Sequence, residues 1–271
     1  MKGVFRFRRV ASLAAKFFGA VATLVLAADF SSTNALAASA SSDSAGPDYS
    51  LFTQVLRDNV KDGVVNYKGL KADKRFADFI EILKKTDPNT ISRKNRLAFW
   101  INTYNAFVIK VVVEQYPTKS IFSSTAYAFK KSNFHKKVVT VNGVQYSLND
   151  VENDIIRPMG DPRIHFAINC AARSCPPLRS EAYEPGRLSE QMDEQARQFI
   201  TNPEKNGFDF TKKEALVSKI FDWFSEDFKK YDKGVPAFIS RYLPPDQGKQ
   251  LAANAATFKI KHHDYNWDLN E

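Results

Sequence analysis

The chain has 271 residues, 44% of them hydrophobic and 25% charged, with 39 Lys and Arg against 30 Asp and Glu, a formal charge of +9 and two cysteines. These proportions belong to a folded soluble protein and exclude a disordered tail, a collagen-like repeat, a polytopic membrane protein and a disulfide-dense miniprotein. The charge would suit nucleic acid or an anionic surface only if it clustered on the folded part.

It does not. In residues 1–37, Lys2, Arg6, Arg8, Arg9 and Lys16 stand against Asp29 alone, so this segment holds +4 of the charge and leaves +5 for the rest. The segment has the form of a signal peptide: a basic start, an apolar run from Phe17 to Ala28, and Ala35, Leu36 and Ala37 as a small-residue cleavage site. The apolar run is too short to span a bilayer, so no stable membrane span is expected after its removal. A short membrane anchor is the competing reading. Export places the protein in the periplasm or outside the cell, where thiols tend to oxidise. Residues 38–50, rich in Ala, Ser, Asp and Gly, are expected to be a flexible leader. Residues 51–271 are then expected to form a single domain.

Leu51, Val55, Leu56 and Val60 recur at helical spacing, and Phe76, Phe79, Ile80 and Leu83 repeat the pattern. From Arg93 to Gln115 a long helix is predicted, with Ser92 as its cap and Pro117 as its stop. Its middle, Leu97 to Val113, is apolar on nearly every side, which marks a buried central helix. Val138–Val141 and Val144–Leu148 flank Asn142 and Gly143, the favoured pair of a tight hairpin turn. Asn149 is expected to cap a short helix that Pro158 closes. Arg163 to Cys170 alternates apolar and polar residues and predicts a strand, with His165 and Asn169 on one face. Leu188 to Ile200 is an amphipathic helix, and Phe208–Phe210 with Ala215–Val217 suggest another hairpin. Further helical spacing follows through Ile220, Trp223, Phe224 and Phe228, then Phe238, Ile239 and Tyr242. Helices and hairpins mixed without regular alternation predict an α+β fold: a buried central helix packed on a small, mainly antiparallel sheet.

The stretch from His165 to Pro177 carries the chemistry. Cys175 precedes two prolines, and proline favours the first position of a helix, so Cys175 at an N-cap would be an activated thiolate with Arg173 pushing the same way. His165 is the candidate base. Glu152, Asn102, Asn105 and Asp161 are candidates to orient it, Glu152 being the carboxylate just ahead in the chain. The alternative is a disulfide between Cys170 and Cys175, which an oxidising compartment and an even cysteine count favour. Asn102 and Asn105 share a face of the central helix and serve either as hydrogen-bonding braces for neighbouring backbone or as supports for an oxyanion. His135, His165, His262 and His263 raise the question of a metal, but none has a zincin or zinc-ribbon spacing, so no metal is assigned. No glycine-rich phosphate loop or nucleic-acid reading motif appears, so neither a cofactor nor a nucleic-acid partner is expected.

The runs RLAFWINTYNAF (96–107), YSLNDVE (146–152), DPRIHFAINC (161–170) and SCPPL (174–178), with SKIFDW (218–223), Asp227, Phe228 and YNWDLN (265–270), resemble domain-of-unknown-function family 547. Bacterial members are mostly exported single-domain proteins, and plant members carry the domain behind a coiled coil. A distant relation to papain-like hydrolases and transglutaminase-like folds would make Cys175 the nucleophile, His165 the base and Glu152 the orienting group. Because the central helix has no cysteine, the arrangement would be permuted. The expected strand histidine and the cysteine before two prolines point to a cysteine-dependent hydrolase or acyltransferase acting on amide bonds, its substrate an unidentified peptide, glycan or lipid-linked molecule. The competing class is a non-catalytic binding or scaffold domain stapled by Cys170 and Cys175.

Overall fold

The apolar spacing that begins at Leu51 forms helix α1 (Ser50–Asn59) in the computed structural model, which describes residues 44–122 and 132–271. The expected signal peptide and the start of the leader lie outside the described residues. The part of the leader from 44 to 50 is not free. Ser44 pairs with Ile91 in a parallel bridge, its carbonyl accepts from Asn95 Nδ2 at 3.1 Å, and Tyr49 is buried. Its composition concealed this because Tyr49 alone supplies the apolar anchor.

A two-residue antiparallel pair, β1 (Val60–Lys61) and β2 (Val64–Val65), leads into α2 (Tyr67–Ala72) and α3 (Lys74–Lys85). The central helix α4 runs Arg96–Gln115, and Arg93–Asn95 form a turn ahead of it rather than its first turn. Every residue from Ala98 to Ile109 is buried, as an all-round apolar helix requires. The hairpin of β3 (Val139–Val141) and β4 (Val144–Tyr146) forms as predicted, with Asn142 at φ 46° and Gly143 at φ 75° supplying the left-handed turn.

Ser147, not Asn149, caps the following helix α5 (Leu148–Asp150): its hydroxyl accepts from Asp150 N–H, and the Asp150 carboxylate accepts from Ser147 N–H. The helix continues as a π-helical turn over Val151–Ile156 and a tighter turn over Arg157–Met159. The strand expected from Arg163 to Cys170 is instead a one-turn helix, α6 (Ile164–Ala167). Ile164, Ala167 and Ile168 pack into the main core while Phe166 turns to a second cluster, so the operative spacing is helical and the apparent alternation was two cores being served from one turn.

Helix α7 (Leu188–Ile200) has the predicted bounds. After it, β5 (Gly207–Asp209) pairs antiparallel with β6 (Glu214–Val217), and β7 (Lys259–His262) adds in parallel. Helices α8 (Ile220–Trp223), α9 (Ser225–Tyr231), α10 (Val235–Ser240) and α11 (Pro245–Ala253) lie between β6 and β7. The fold is α+β. Among the described residues the expected single sheet is three small ones, two of them two-stranded. Strands this short cannot cover a helix apolar on all sides, so α2, α3 and the π turn share that task with β3. Among the described residues no helix is long and apolar enough to cross a membrane.

Candidate functional site

Asn169 shapes the loop that carries both cysteines. Its Oδ1 accepts from Ala171 N–H at 2.8 Å and its Nδ2 donates to Pro176 O at 2.7 Å, so one side chain spans both ends of the loop. Ala171 sits at φ 61°, a region costly for a residue with a Cβ. The C-terminal segment holds the loop in place: Arg173 N–H donates to Asp268 O, Ser174 N–H to Asn266 O, and Ala172 pairs with Leu269 in an antiparallel bridge.

No helix follows Cys175, since the chain runs on irregularly from Pro176 to the next helix at Leu188, so the expected N-cap is absent. The thiolate is favoured by other donors. Cys170 N–H donates to Cys175 Sγ at 2.9 Å, and Cys170 Sγ, itself 3.2 Å from the Tyr265 hydroxyl, lies 2.7 Å from it. Burial pushes the Cys175 thiol up, but the hydrogen bonds from the Cys170 thiol, the Cys170 amide and the Tyr265 hydroxyl bring it below its ordinary value. Burial and the shared hydrogen bond push Cys170 well up, so the proton of the pair stays on Cys170. Both cysteines are free thiols here.

His165, buried on α6, places Nε2 2.9 Å from Asp227 Oδ2 and stacks its ring on Phe224 at 3.9 Å. Asp227 sits in the first turn of α9 and also takes Arg157 Nε at 2.7 Å and Nη2 at 3.0 Å. The hydrogen bonds from His165 and Arg157 overcome burial and hold the Asp227 carboxyl far below its usual range. A carboxylate can only accept, so Nε2 carries the hydrogen. Burial, outweighing Asp227, lowers the pKa of His165, leaving a neutral imidazole whose Nδ1 is a lone-pair acceptor. That Nδ1 is buried and has no hydrogen-bond partner among the described residues.

Glu152 does not orient His165. It lies on the π turn, where its Oε2 accepts from the Tyr104 hydroxyl of α4 at 3.1 Å, and burial raises its pKa. The sequence missed Asp227 as the orienting group because it stands 62 positions from His165. The only signal available was its inclusion in the family resemblance. Asp161 is not the partner either: it pairs with Arg163.

Cys170, Cys175, His165 and Glu152 line one cavity of about 450 Å³, together with Arg157 and the aromatic side chains of Trp223, Tyr265 and Trp267. No hydrogen bond joins Cys175 to His165 directly. Asn102 and Asn105 lie outside the cavity lining as braces. Asn102 Nδ2 donates to Tyr183 O and its Oδ1 accepts from Tyr183 N–H; Asn105 Nδ2 donates to Ala167 O and its Oδ1 accepts from Asn169 N–H. Among the described residues no group of three His, Cys, Asp or Glu side chains could hold a metal ion.

Residues 88–200 match the family described as "Protein of unknown function, DUF547". This span includes Glu152, His165 and both cysteines, while Asp227, Trp223, Tyr265 and Trp267 lie beyond it. No curated protein and no solved structure matches the chain.

Proposed function

We propose that this chain, a member of the DUF547 family through residues 88–200, is an exported cysteine-dependent hydrolase or acyltransferase acting on amide bonds. The carrying observation is a thiol whose sulfur meets hydrogen-bond donors from Cys170, in a cavity shared with a neutral histidine that is anchored at one nitrogen and unpartnered at the other. The donors from Cys170 and Tyr265 favour the thiolate, and no hydrogen bond from Cys175 reaches His165, so in this scheme His165 acts on the attacking water rather than on the thiol. Cys175 Sγ attacks the carbonyl carbon, the C–N bond breaks, and the leaving amine takes a proton from the Glu152 carboxyl, which burial inclines to keep one. Water or an acceptor amine then attacks the thioester, giving its proton to His165 Nδ1 as the C–S bond breaks. That proton returns to Glu152, closing the cycle. Asp227 and Arg157 fix the tautomer that leaves Nδ1 available.

The test is acylation by 4-nitrophenyl acetate, followed by intact mass and by turnover. Wild type is expected to form an acetyl thioester on Cys175 and release it. His165→Ala should form the thioester and retain it, and Cys175→Ala should form none. Acetylation of Cys175→Ala at the wild-type rate would sink the proposal.

The close approach of the two sulfurs, 2.7 Å, favours a second reading, a binding domain stapled by a Cys170–Cys175 disulfide. Alkylation of exported protein with and without reduction separates the two. A quantitative disulfide supports the staple, and thiols alkylated without reduction support the hydrolase.

A further inference from the structure

Trp223 is 44% exposed, although most large aromatic side chains among the described residues are buried. Its indole rests on Tyr265 and Trp267 at centroid distances of 4.8 and 5.8 Å, and Trp267 in turn stacks on Phe122 at 3.6 Å. These rings, with Phe224, form one wall of the cavity that holds Cys175. An indole left in solvent at the mouth of a cavity is unused apolar area that a ligand can cover.

Apart from His165 Nδ1 and Cys175, which the proposed chemistry uses, the polar groups Arg157, Glu152 and Asn153 of the same cavity are already engaged. Arg157 gives its guanidinium to Asp227 and Asn153, Glu152 accepts from Tyr104, and the Asn153 amide nitrogen bonds to Asn149. A charged group would therefore meet no free counter-charge among these residues, and a sugar would find few partners for its hydroxyls. Aromatic rings instead favour offset or edge contacts with another planar apolar group.

Resting on the nucleophile assigned above, we propose that the aromatic wall of Trp223, Tyr265, Trp267 and Phe122 is the acyl-group subsite, and that the substrate presents an uncharged aromatic side group next to the carbonyl attacked by Cys175.

The probes are acetyl-phenylalanyl, acetyl-alanyl and acetyl-aspartyl chloromethyl ketones, in which the thiolate displaces chloride from the methylene carbon, forming C–S as C–Cl breaks. Iodoacetamide, which has no side group to seat, reports Cys175 alone, and labelling is read on the Cys175 peptide. Relative to iodoacetamide, the phenylalanyl reagent should react about tenfold or more faster than the alanyl and aspartyl reagents. Trp223→Ala, at a position exposed enough to leave the core intact, should cut that preference to a few-fold, and Trp223→Phe should restore most of it. Equal rates for the three reagents, or a preference untouched in Trp223→Ala, would overturn the subsite while leaving the nucleophile standing. If iodoacetamide also spares Cys175, the nucleophile falls and the subsite with it.

Discussion

His165 is held neutral although its Nε2 lies against a carboxylate. Its ring is buried and stacked on Phe224, and the carboxylate it is hydrogen-bonded to, Asp227, is shared with Arg157. Because burial lowers its folded pKa, the unfolded chain binds the proton more tightly and stability rises with pH across the interval up to the unfolded value of about 6.5. Stability should therefore begin to fall as pH drops below about 6.5, where His262, also lowered by burial, contributes too, and His165→Gln should reduce that first part of the decline in melting temperature against pH. Asp227 acts lower on the scale. Its folded pKa is depressed, so its contribution is full above the unfolded value of about 3.9 and is lost as pH falls below it. Asp227→Asn breaks a pair whose side chains keep some solvent, 16% for Asp227 and 29% for Arg157. The cost at neutral pH should be about 2 kcal/mol by urea unfolding, less than for a fully buried pair. In the acylation assay the same change should slow release of the thioester more than its formation, because an amide can donate as well as accept and no longer fixes the imidazole tautomer.

At the level of elements, α4 works as a rack for loops. Asn102 and Asn105, three residues apart, each hold a backbone segment by a donor and an acceptor, one at Tyr183 and the other at Ala167 and Asn169. Asn105→Ala should cost about 2–3 kcal/mol in urea unfolding, since it leaves a buried amide N–H and a buried carbonyl unpaired. It should also loosen the cysteine loop at Asn169, which Asn102→Ala should not do. Faster amide hydrogen exchange at residues 169–175 in Asn105→Ala alone would show this, and unchanged exchange would count against a bracing role. The sequence displayed α4, the Asn142–Gly143 hairpin and helix α7 because each is written in local spacing or turn chemistry. It concealed α6, where one turn feeds two cores, and the π turn, whose extra residue has no compositional mark. The candidate site was half legible. Cys175, His165 and Glu152 do meet in one cavity, and Cys170, a donor to Cys175, stands only five residues from it, but the partner of His165 comes from α9 and the remaining donor to Cys175 is Tyr265, and no spacing rule reaches that far.

Across the whole molecule, the C-terminal segment does what a disulfide might have done. Asn270 accepts from Val65 N–H and from the Tyr67 hydroxyl, Leu269 N–H donates to Lys119 O, and Trp267 O accepts from Ser120 Oγ at 2.6 Å. The same few residues hold Arg173 and Ser174 of the cysteine loop, so the strap joins β2, α2, the segment that follows α4 and the site. At about 1 kcal/mol for each hydrogen bond, and 1.5–3 kcal/mol for the buried Leu269, loss of the strap should cost about 5 kcal/mol or more. That is a large part of the roughly 5–15 kcal/mol that holds a domain together, so a chain ending at Asp264 should unfold at markedly lower urea. Its cysteine loop would also lose the Tyr265 hydroxyl, and Tyr265→Phe isolates that part. Tyr265→Phe should melt close to wild type, since its ring still packs on Trp223 and Trp267. Yet the pH at which Cys175 alkylation reaches half its plateau should move upward, because a donor to the thiolate is gone while burial still opposes the charge. A half-plateau pH unchanged in Tyr265→Phe would remove the hydroxyl from the set that activates Cys175, leaving the amide and thiol of Cys170 to account for it.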